Sequence, residues 1–448
     1  MKKKIALLLT FLMVAGSLAA CGNDNGSNES TDDSTSTTET EDGGTAEDSA
    51  SAEDASRSSG NKITLAIWDS VQEPGIREIC DDFTAETGIE VDIQVTPWEQ
   101  YWTMLEAGAT GGALPDVFWM HIKESERYMS ADMLLNLDEQ IEASDKIDLS
   151  NYYEDVVEMY RYDGSQYAIP KDIDSIALWY NKAHFDEAGL EYPDDTWTWT
   201  DLKEAAAKLT TDDHYGFGSR ILNYQEGWYN LVYGLGGYII NEDKTASGYD
   251  NEKTIEAIEY FQSFVADGTS PDNTVTSEND LVALFESGTI SMSLQGSWVM
   301  SELTSNDYIK ENGAVAMIPM TDDGTRVSVY NGLGYAASAN TEYPEEAWAL
   351  LEYLGSEEAQ IKQADLGVTL SAYKGTSDGW ATSVEGFDLS PHIDVMDDTL
   401  VFYPNSKNTT AWENMANEKL VKAWTGEASV ADVCKEIADE MNKLLAEE

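Results

Sequence analysis

Ile63-Thr64-Leu65-Ala66-Ile67-Trp68-Asp69 opens the stretch that decides the fold. Ile63, Leu65 and Ile67 alternate with Thr64 and Ala66, the period of a strand. A helix is predicted next: Pro74 suits its first turn, Ile76, Ile79, Cys80 and Phe83 recur at helical spacing, and Gly88 supplies the stop. Ile89, Val91, Ile93 and Val95 then alternate with Glu90, Asp92 and Gln94 before Pro97, which gives a second strand. A short helix over 99–107 leads through Gly111-Gly112-Ala113-Leu114-Pro115 to the apolar Val117-Phe118-Trp119-Met120. Strand, helix, strand, helix, strand predicts an α/β fold with a parallel sheet and right-handed crossovers.

Such sheets hold ligands beyond the carboxyl ends of their strands. Trp68-Asp69 and Trp119 stand at two such ends. A pyranose lays its C–H face on an aromatic ring while carboxylates and amides bond its hydroxyls, and these residue types supply both. A single tryptophan reads more readily as core, so several must act together.

The chain has 448 residues, with 84 acidic side chains against 26 basic ones and a formal net charge of −58. That field repels phosphate backbones and anionic lipid head groups, which excludes nucleic acid as a partner. Apolar residues make up 42% and aromatics 10%, enough for a packed core. At roughly 100–200 residues per domain, the chain from residue 61 onward makes two domains or one two-lobed body. Cys21, Cys80 and Cys434 are too few for a disulfide framework. Cys80 and Cys434 read as two separate buried thiols, with a pair across the two ends of the folded chain as the alternative.

Residues 1–20 read as a signal peptide: Lys2-Lys3-Lys4, an apolar run from Ile5 to Val14, then small residues up to Leu18-Ala19-Ala20-Cys21. The run is about half the roughly 20 residues that span a bilayer. Leu-Ala-Ala-Cys after such a run resembles the bacterial lipobox, which implies that Cys21 receives a diacylglycerol and anchors the mature chain. Residues 22–60 contain no Val, Ile, Leu, Phe, Trp or Tyr and so cannot offset their ordering entropy by burial. The segment 21–60 reads as an acidic Ser/Thr/Gly tether with an end-to-end distance of about 35 Å.

Farther on, Tyr167-Ala168-Ile169-Pro170-Lys171-Asp172-Ile173-Asp174 leads into Ile176–Tyr180 and Asn181-Lys182. With the opening strands, Pro115-Asp116-Val117-Phe118-Trp119, Gln295-Gly296-Ser297-Trp298 and Asn331-Gly332-Leu333-Gly334-Tyr335-Ala336, this order resembles the extracellular solute-binding proteins of ABC importers. The resemblance is to the carbohydrate-binding branch that includes maltose-binding protein, and it also covers a helix over 345–354 and a C-terminal helix pair around Trp412 and Val433. It implies a two-lobed, periplasmic-binding-protein-like α/β fold with hinge crossings near Asp172, Val327–Asn331 and Leu370–Lys374. The lobes it implies are 61–172 plus 327–372 and 173–326 plus 373–448. Carried over position by position, Trp68 and Asp69 match a sugar-contacting loop and Trp119 a stacking platform. Asp174 matches a hydroxyl acceptor with Asp172 beside it, and Glu226 and Trp228 a carboxylate and an aromatic of the second lobe. Trp298 and Trp412 match further stacking rings, and Asn331 joins the site at the second crossing.

The function implied is capture of a sugar, by lobe closure, for the permease subunits of an ABC importer, by a lipid-anchored monomer that needs no cofactor or metal. Met120-His121-Ile122-Lys123 lacks the acidic side chain that maltose-binding protein uses nearby, so the site should differ from a maltose site. Trp98, Trp102, Trp197 and Trp199 have no counterpart in the cleft. Thr196-Trp197-Thr198-Trp199-Thr200-Asp201 reads as a cap for a helix beginning at Asp201, and Trp348 as core by its spacing from Leu351 and Leu354. An anchored glycosidase is the main rival, and a peptide, polyamine or metal the rival cargo. No Gly-x-Ser-x-Gly, Walker loop or His-Glu-x-x-His is present, and His121, His184, His214 and His392 are dispersed, so catalysis has no motif behind it. Each histidine reads as a surface or supporting residue.

Overall fold

Lys62–Ile67 and Glu90–Val95 pair in parallel along their whole length, Lys62 opposite Glu90 and Ile67 opposite Val95. The structure, a computed structural model, describes residues 62–448. The signal segment, Cys21 and the tether lie outside the described residues. Between those strands runs the helix Glu73–Thr87, which buries Ile76, Ile79, Cys80 and Phe83 and ends at Gly88 with φ +75°. That left-handed backbone costs glycine little, so the stop lies where the sequence puts it. The second helix, Trp98–Gly111, is longer than the sequence suggests and starts at Trp98 itself.

The first sheet has the order Glu90–Val95, Lys62–Ile67, Val117–Met120, Gly334–Ala337, Ala168–Pro170. Its first three strands are parallel, but Gly334–Ala337 runs antiparallel to both of its neighbours. The sheet is therefore mixed, because a strand from late in the chain returns into its middle. The second sheet has three strands, Met292–Gly296, Ile176–Asn181 and Gly313–Met317, all antiparallel. Its central strand is buried at every position, as the unbroken apolar run Ile-Ala-Leu-Trp-Tyr requires. A third pairing joins Val327–Tyr330 to Thr399–Phe402 in parallel. The fold is α/β and two-lobed, one lobe on each of the two larger sheets.

Three segments pass side by side between the sheets. Lys171 N–H donates to the Leu333 carbonyl at 2.8 Å, Ile173 N–H to Leu370 at 3.2 Å, and Asp172 bridges to Ser371. The crossing that links Ala168–Pro170 to Ile176–Asn181 is thus clamped by the other two. Lys171 is fully buried here; its ammonium lies 2.6 Å from Asp172 Oδ2 and 4.4 Å from the centre of the Trp119 ring.

Cys80 and Cys434 are both buried and free, and burial pushes each thiol up to about 12. The Thr196–Asp201 run caps a helix that begins two residues before the expected start, at Trp199. Thr198 Oγ1 accepts from Asp201 N–H at 3.1 Å, and the Asp201 carboxylate accepts from Thr198 N–H at 2.9 Å. Trp348 is half-buried on the flank of Pro344–Gly355, whose core face is Ala347, Leu350, Leu351 and Leu354.

Candidate ligand-binding site

A cavity of about 520 Å³ opens where the strand ends of the first lobe face the crossings and the second lobe. Trp68 and Asp69 reach it directly from the end of Lys62–Ile67. Asp69 is itself held in the turn ahead of the helix Glu73–Thr87: Oδ1 accepts from Val71 N–H at 2.7 Å and Oδ2 from Gln72 Nε2 at 2.9 Å. Trp68 stands edge-on to Trp98, with ring centres 4.9 Å apart, and to Trp119 at 5.1 Å. Those contacts fix the orientation of the aromatic wall.

At the crossings, Asp172, Asp174 and Asn331 line the cavity while being almost completely buried. Asp174 Oδ1 accepts from Gln225 Nε2 at 2.6 Å and from Asn331 N–H at 2.8 Å, and desolvation pushes its carboxyl well above the usual range. Asn331 Oδ1 is buried without a hydrogen-bond partner among the described residues, an acceptor left over at the cavity wall. From the second lobe come Glu226 and Trp298. Desolvation raises the Glu226 carboxyl to about 7, although Arg220 and the Gly296 N–H both favour its charged form. Trp298 is half-buried and edge-on to Tyr224, with ring centres 6.1 Å apart.

Seven of the expected site residues therefore meet at one cavity: Trp68, Asp69, Asp172, Asp174, Glu226, Trp298 and Asn331. Trp119, Trp228 and Trp412 do not; all three are fully buried core residues. Trp119 belongs to a strand buried at every position and lies behind Trp68, not beside the cavity. Trp228 packs on Trp424 at 5.6 Å, and Trp412 turns its Nε1 inward to Ser406 Oγ at 3.1 Å.

Among the lining residues that the sequence did not point to are Trp98, His121, Lys123, Arg220, Tyr224 and Glu413. His121 follows the strand Val117–Met120 directly, so the strand-end rule could have found it. Its Nδ1 accepts from Lys123 N–H at 3.2 Å, and desolvation, followed by the Lys123 charge, holds its pKa well below normal. Its Nε2 lies 3.0 Å from the Tyr224 hydroxyl and 2.8 Å from Asn331 Nδ2. Tyr224 and Arg220 come from a stretch without helix or strand, which has no period to read. Among the described residues no group of His, Cys, Asp and Glu gathers to hold a metal ion, and no helix is long and apolar enough to cross a membrane.

Residues 68–361 match the family described as bacterial extracellular solute-binding protein. The chain belongs to that family. It is a solute-binding protein and not an enzyme. Among its relatives is the galactooligosaccharide-binding protein of Bacillus subtilis, 25% identical over 68% of this chain and 71% of that one. The diacetylchitobiose-binding protein of Streptomyces coelicolor is 23% identical over the full length of both. An ABC substrate-binding protein of Listeria monocytogenes, solved in complex with cycloalternan, shares the fold with a TM-score of 0.80 at 23% identity. That match covers 86% of this chain and 99% of the other.

Proposed function

We propose that this solute-binding protein is anchored outside the cell through a lipid on Cys21 and captures an oligosaccharide by closing its lobes. It then delivers the sugar to the permease subunits of an ABC importer. The observation that carries the ligand class is the pairing of aromatic faces and polar acceptors on opposite walls of one cavity. Trp68 and Trp98 face it from the first lobe and Trp298 from the second, with Asp172, Asp174, Glu226 and the unpartnered Asn331 Oδ1 between. Rings of this kind take sugar C–H faces, and the acceptors take hydroxyls. A volume of about 520 Å³ falls within the roughly 300–1,000 Å³ of small-molecule sites and exceeds what one pyranose needs. The named sugars of the relatives point the same way.

The lobe limits we assign follow the sheets: 62–170 and 334–370 in one lobe, 176–330 and 373–448 in the other, with the crossings between. Closure brings contacts from both lobes onto one ligand, and that differential binding favours the closed state.

Titration calorimetry against a panel of neutral oligosaccharides, with a polyamine and a short peptide alongside, tests the reading. Heat with an oligosaccharide and none with the others is expected; binding of the polyamine or peptide alone would overturn it. For the anchor, Cys21→Ser should release the protein into the medium, and retention at the membrane would remove the lipid from the account.

A further inference from the structure

The helix Ile122–Ser130 is fastened to the first lobe and also grips the second. On its own side, Ser125 Oγ donates to the Met159 carbonyl at 3.2 Å, and Arg127 Nη1 reaches Glu106 of the Trp98–Gly111 helix at 2.7 Å. Across the cavity, Lys123 Nζ lies 2.6 Å from Glu413 Oε2, and Thr410 Oγ1 donates to Glu124 Oε1 at 2.6 Å. Both partners stand on Thr409–Trp424 of the second lobe. One turn further along, Glu126 Oε2 lies 3.3 Å from the ammonium of Lys244, which also donates to Asn405 Oδ1 at 2.7 Å.

The two ion pairs run in opposite directions: a first-lobe lysine meets a second-lobe glutamate, and a second-lobe lysine meets a first-lobe glutamate. In a chain of net charge −58 the lobes repel each other on average, so opposite charges placed at the seam in both directions act against the general field. The inner pair is sheltered from salt, since Glu413 is 1% exposed and its Oε1 is held by Tyr403 at 2.6 Å and Tyr229 at 3.1 Å. Opening the lobes strips Lys123 from a carboxylate that stays in the floor of the second lobe.

We propose that Lys123–Glu413 and Lys244–Glu126 form a reciprocal clasp that biases the ligand-free lobes toward the closed arrangement which the ligand then completes, and this makes the four residues positioning residues for capture. The inference rests on the closure reading of the protein but not on the identity of the sugar, and its test needs no ligand. Spin labels at Thr110→Cys and Asp250→Cys, exposed positions on the two lobes, report the interlobe distance by pulsed electron resonance, with Cys21→Ser as background. Cys80 and Cys434, buried and with raised thiol pKa values, should not label.

Ligand-free protein should give a clear short-distance population beside the open one, and ligand should enlarge it. Lys123→Met with Lys244→Met should move most of that ligand-free short population to longer distances, and the exchanged pair Lys123→Glu with Glu413→Lys should recover part of it. Apparent affinity for any ligand should fall by the same factor as the closed fraction. The half-exposed Glu126→Gln, which leaves the core untouched, should give a smaller shift in the same direction. An unchanged ligand-free distance in the double lysine variant would overturn the clasp, even if that variant lost affinity, because Lys123 would then act on the ligand alone. Failure of every sugar to bind would count against the proposed function and leave this distance measurement as informative as before.

Discussion

Asp174 and Asn331 are joined twice across the crossings: the Asp174 N–H donates to the Asn331 carbonyl at 2.9 Å, and the Asn331 N–H returns to Asp174 Oδ1 at 2.8 Å. Two residues far apart in sequence thereby become one unit at the point where the lobes must move relative to each other. Both also line the cavity, so the hinge and the site share their polar groups.

Asp174→Ala should therefore destabilise the fold by about 2–4 kcal/mol. It leaves the Asn331 N–H and Gln225 Nε2 buried without their acceptor. Asp174→Asn should cost under about 1 kcal/mol, because burial already favours an uncharged side chain there and the amide oxygen keeps the acceptor. Urea unfolding of the two variants checks the contrast; equal losses would show that the charge, not the acceptor, is what matters.

Trp298 and Trp412 separate the two meanings of a tryptophan in this chain. Trp298→Ala should weaken oligosaccharide binding by roughly 1–3 kcal/mol while leaving the melting temperature nearly unchanged, as expected for a truncated anchor at a binding surface. Trp412→Ala should cost about 3–5 kcal/mol of stability, because it empties a fully buried site. Calorimetry and thermal melting on both variants decide it, and the opposite assignment of losses would place Trp412 in the site.

Gly296 is expected to be as important for binding as Trp298 itself. A Cβ added at Gly296 would lie 2.2–2.4 Å from three atoms of the Trp298 ring, although the backbone there, with φ −80° and ψ 155°, suits any residue. Gly296→Ala should thus push the indole aside without straining the chain. A loss of affinity approaching that of Trp298→Ala, with little change in melting temperature, is the expected result. Unaltered affinity would mean that the ring's position does not govern binding.

How far the sequence carried the structure depended on whether its signals were local. The strand and helix from Ile63 to Gly88 came from short periods and a glycine stop, and the structure reproduces them to within a residue or two. Trp68 and Asp69 could be placed at the mouth of the sheet, where the cavity lies, because parallel strands present their carboxyl ends together. Trp412 shows the limit of matching by motif: with Ala416, Leu420 and Ala423 it forms a buried stripe at helical spacing, and that pattern should have outweighed the family position. The antiparallel insertion of Gly334–Ala337 and the Lys123–Glu413 pair join residues hundreds of positions apart, and no local pattern encodes them.

Glu226 supplies a pH dependence whose sign is fixed by the direction of its shift. Desolvation raises its pKa from 4.5 to about 7, against the opposing pull of Arg220 and the Gly296 N–H. Between those two values the folded chain keeps a proton that the unfolded chain has released. Unfolding then becomes easier as pH rises, and the penalty is complete once pH passes the folded value. Glu226→Gln removes the titration and should gain roughly 2–3 kcal/mol relative to the parent protein between about pH 4.5 and pH 7, at about 1.4 kcal/mol per pH unit. Urea unfolding of both proteins at pH 5 and pH 8 isolates this contribution, since every other titrating group is shared by the pair. A stability difference that stays constant with pH would mean that Glu226 is solvated and ionised in the folded protein, and it would then meet a sugar hydroxyl as a charged acceptor, not as a neutral acid.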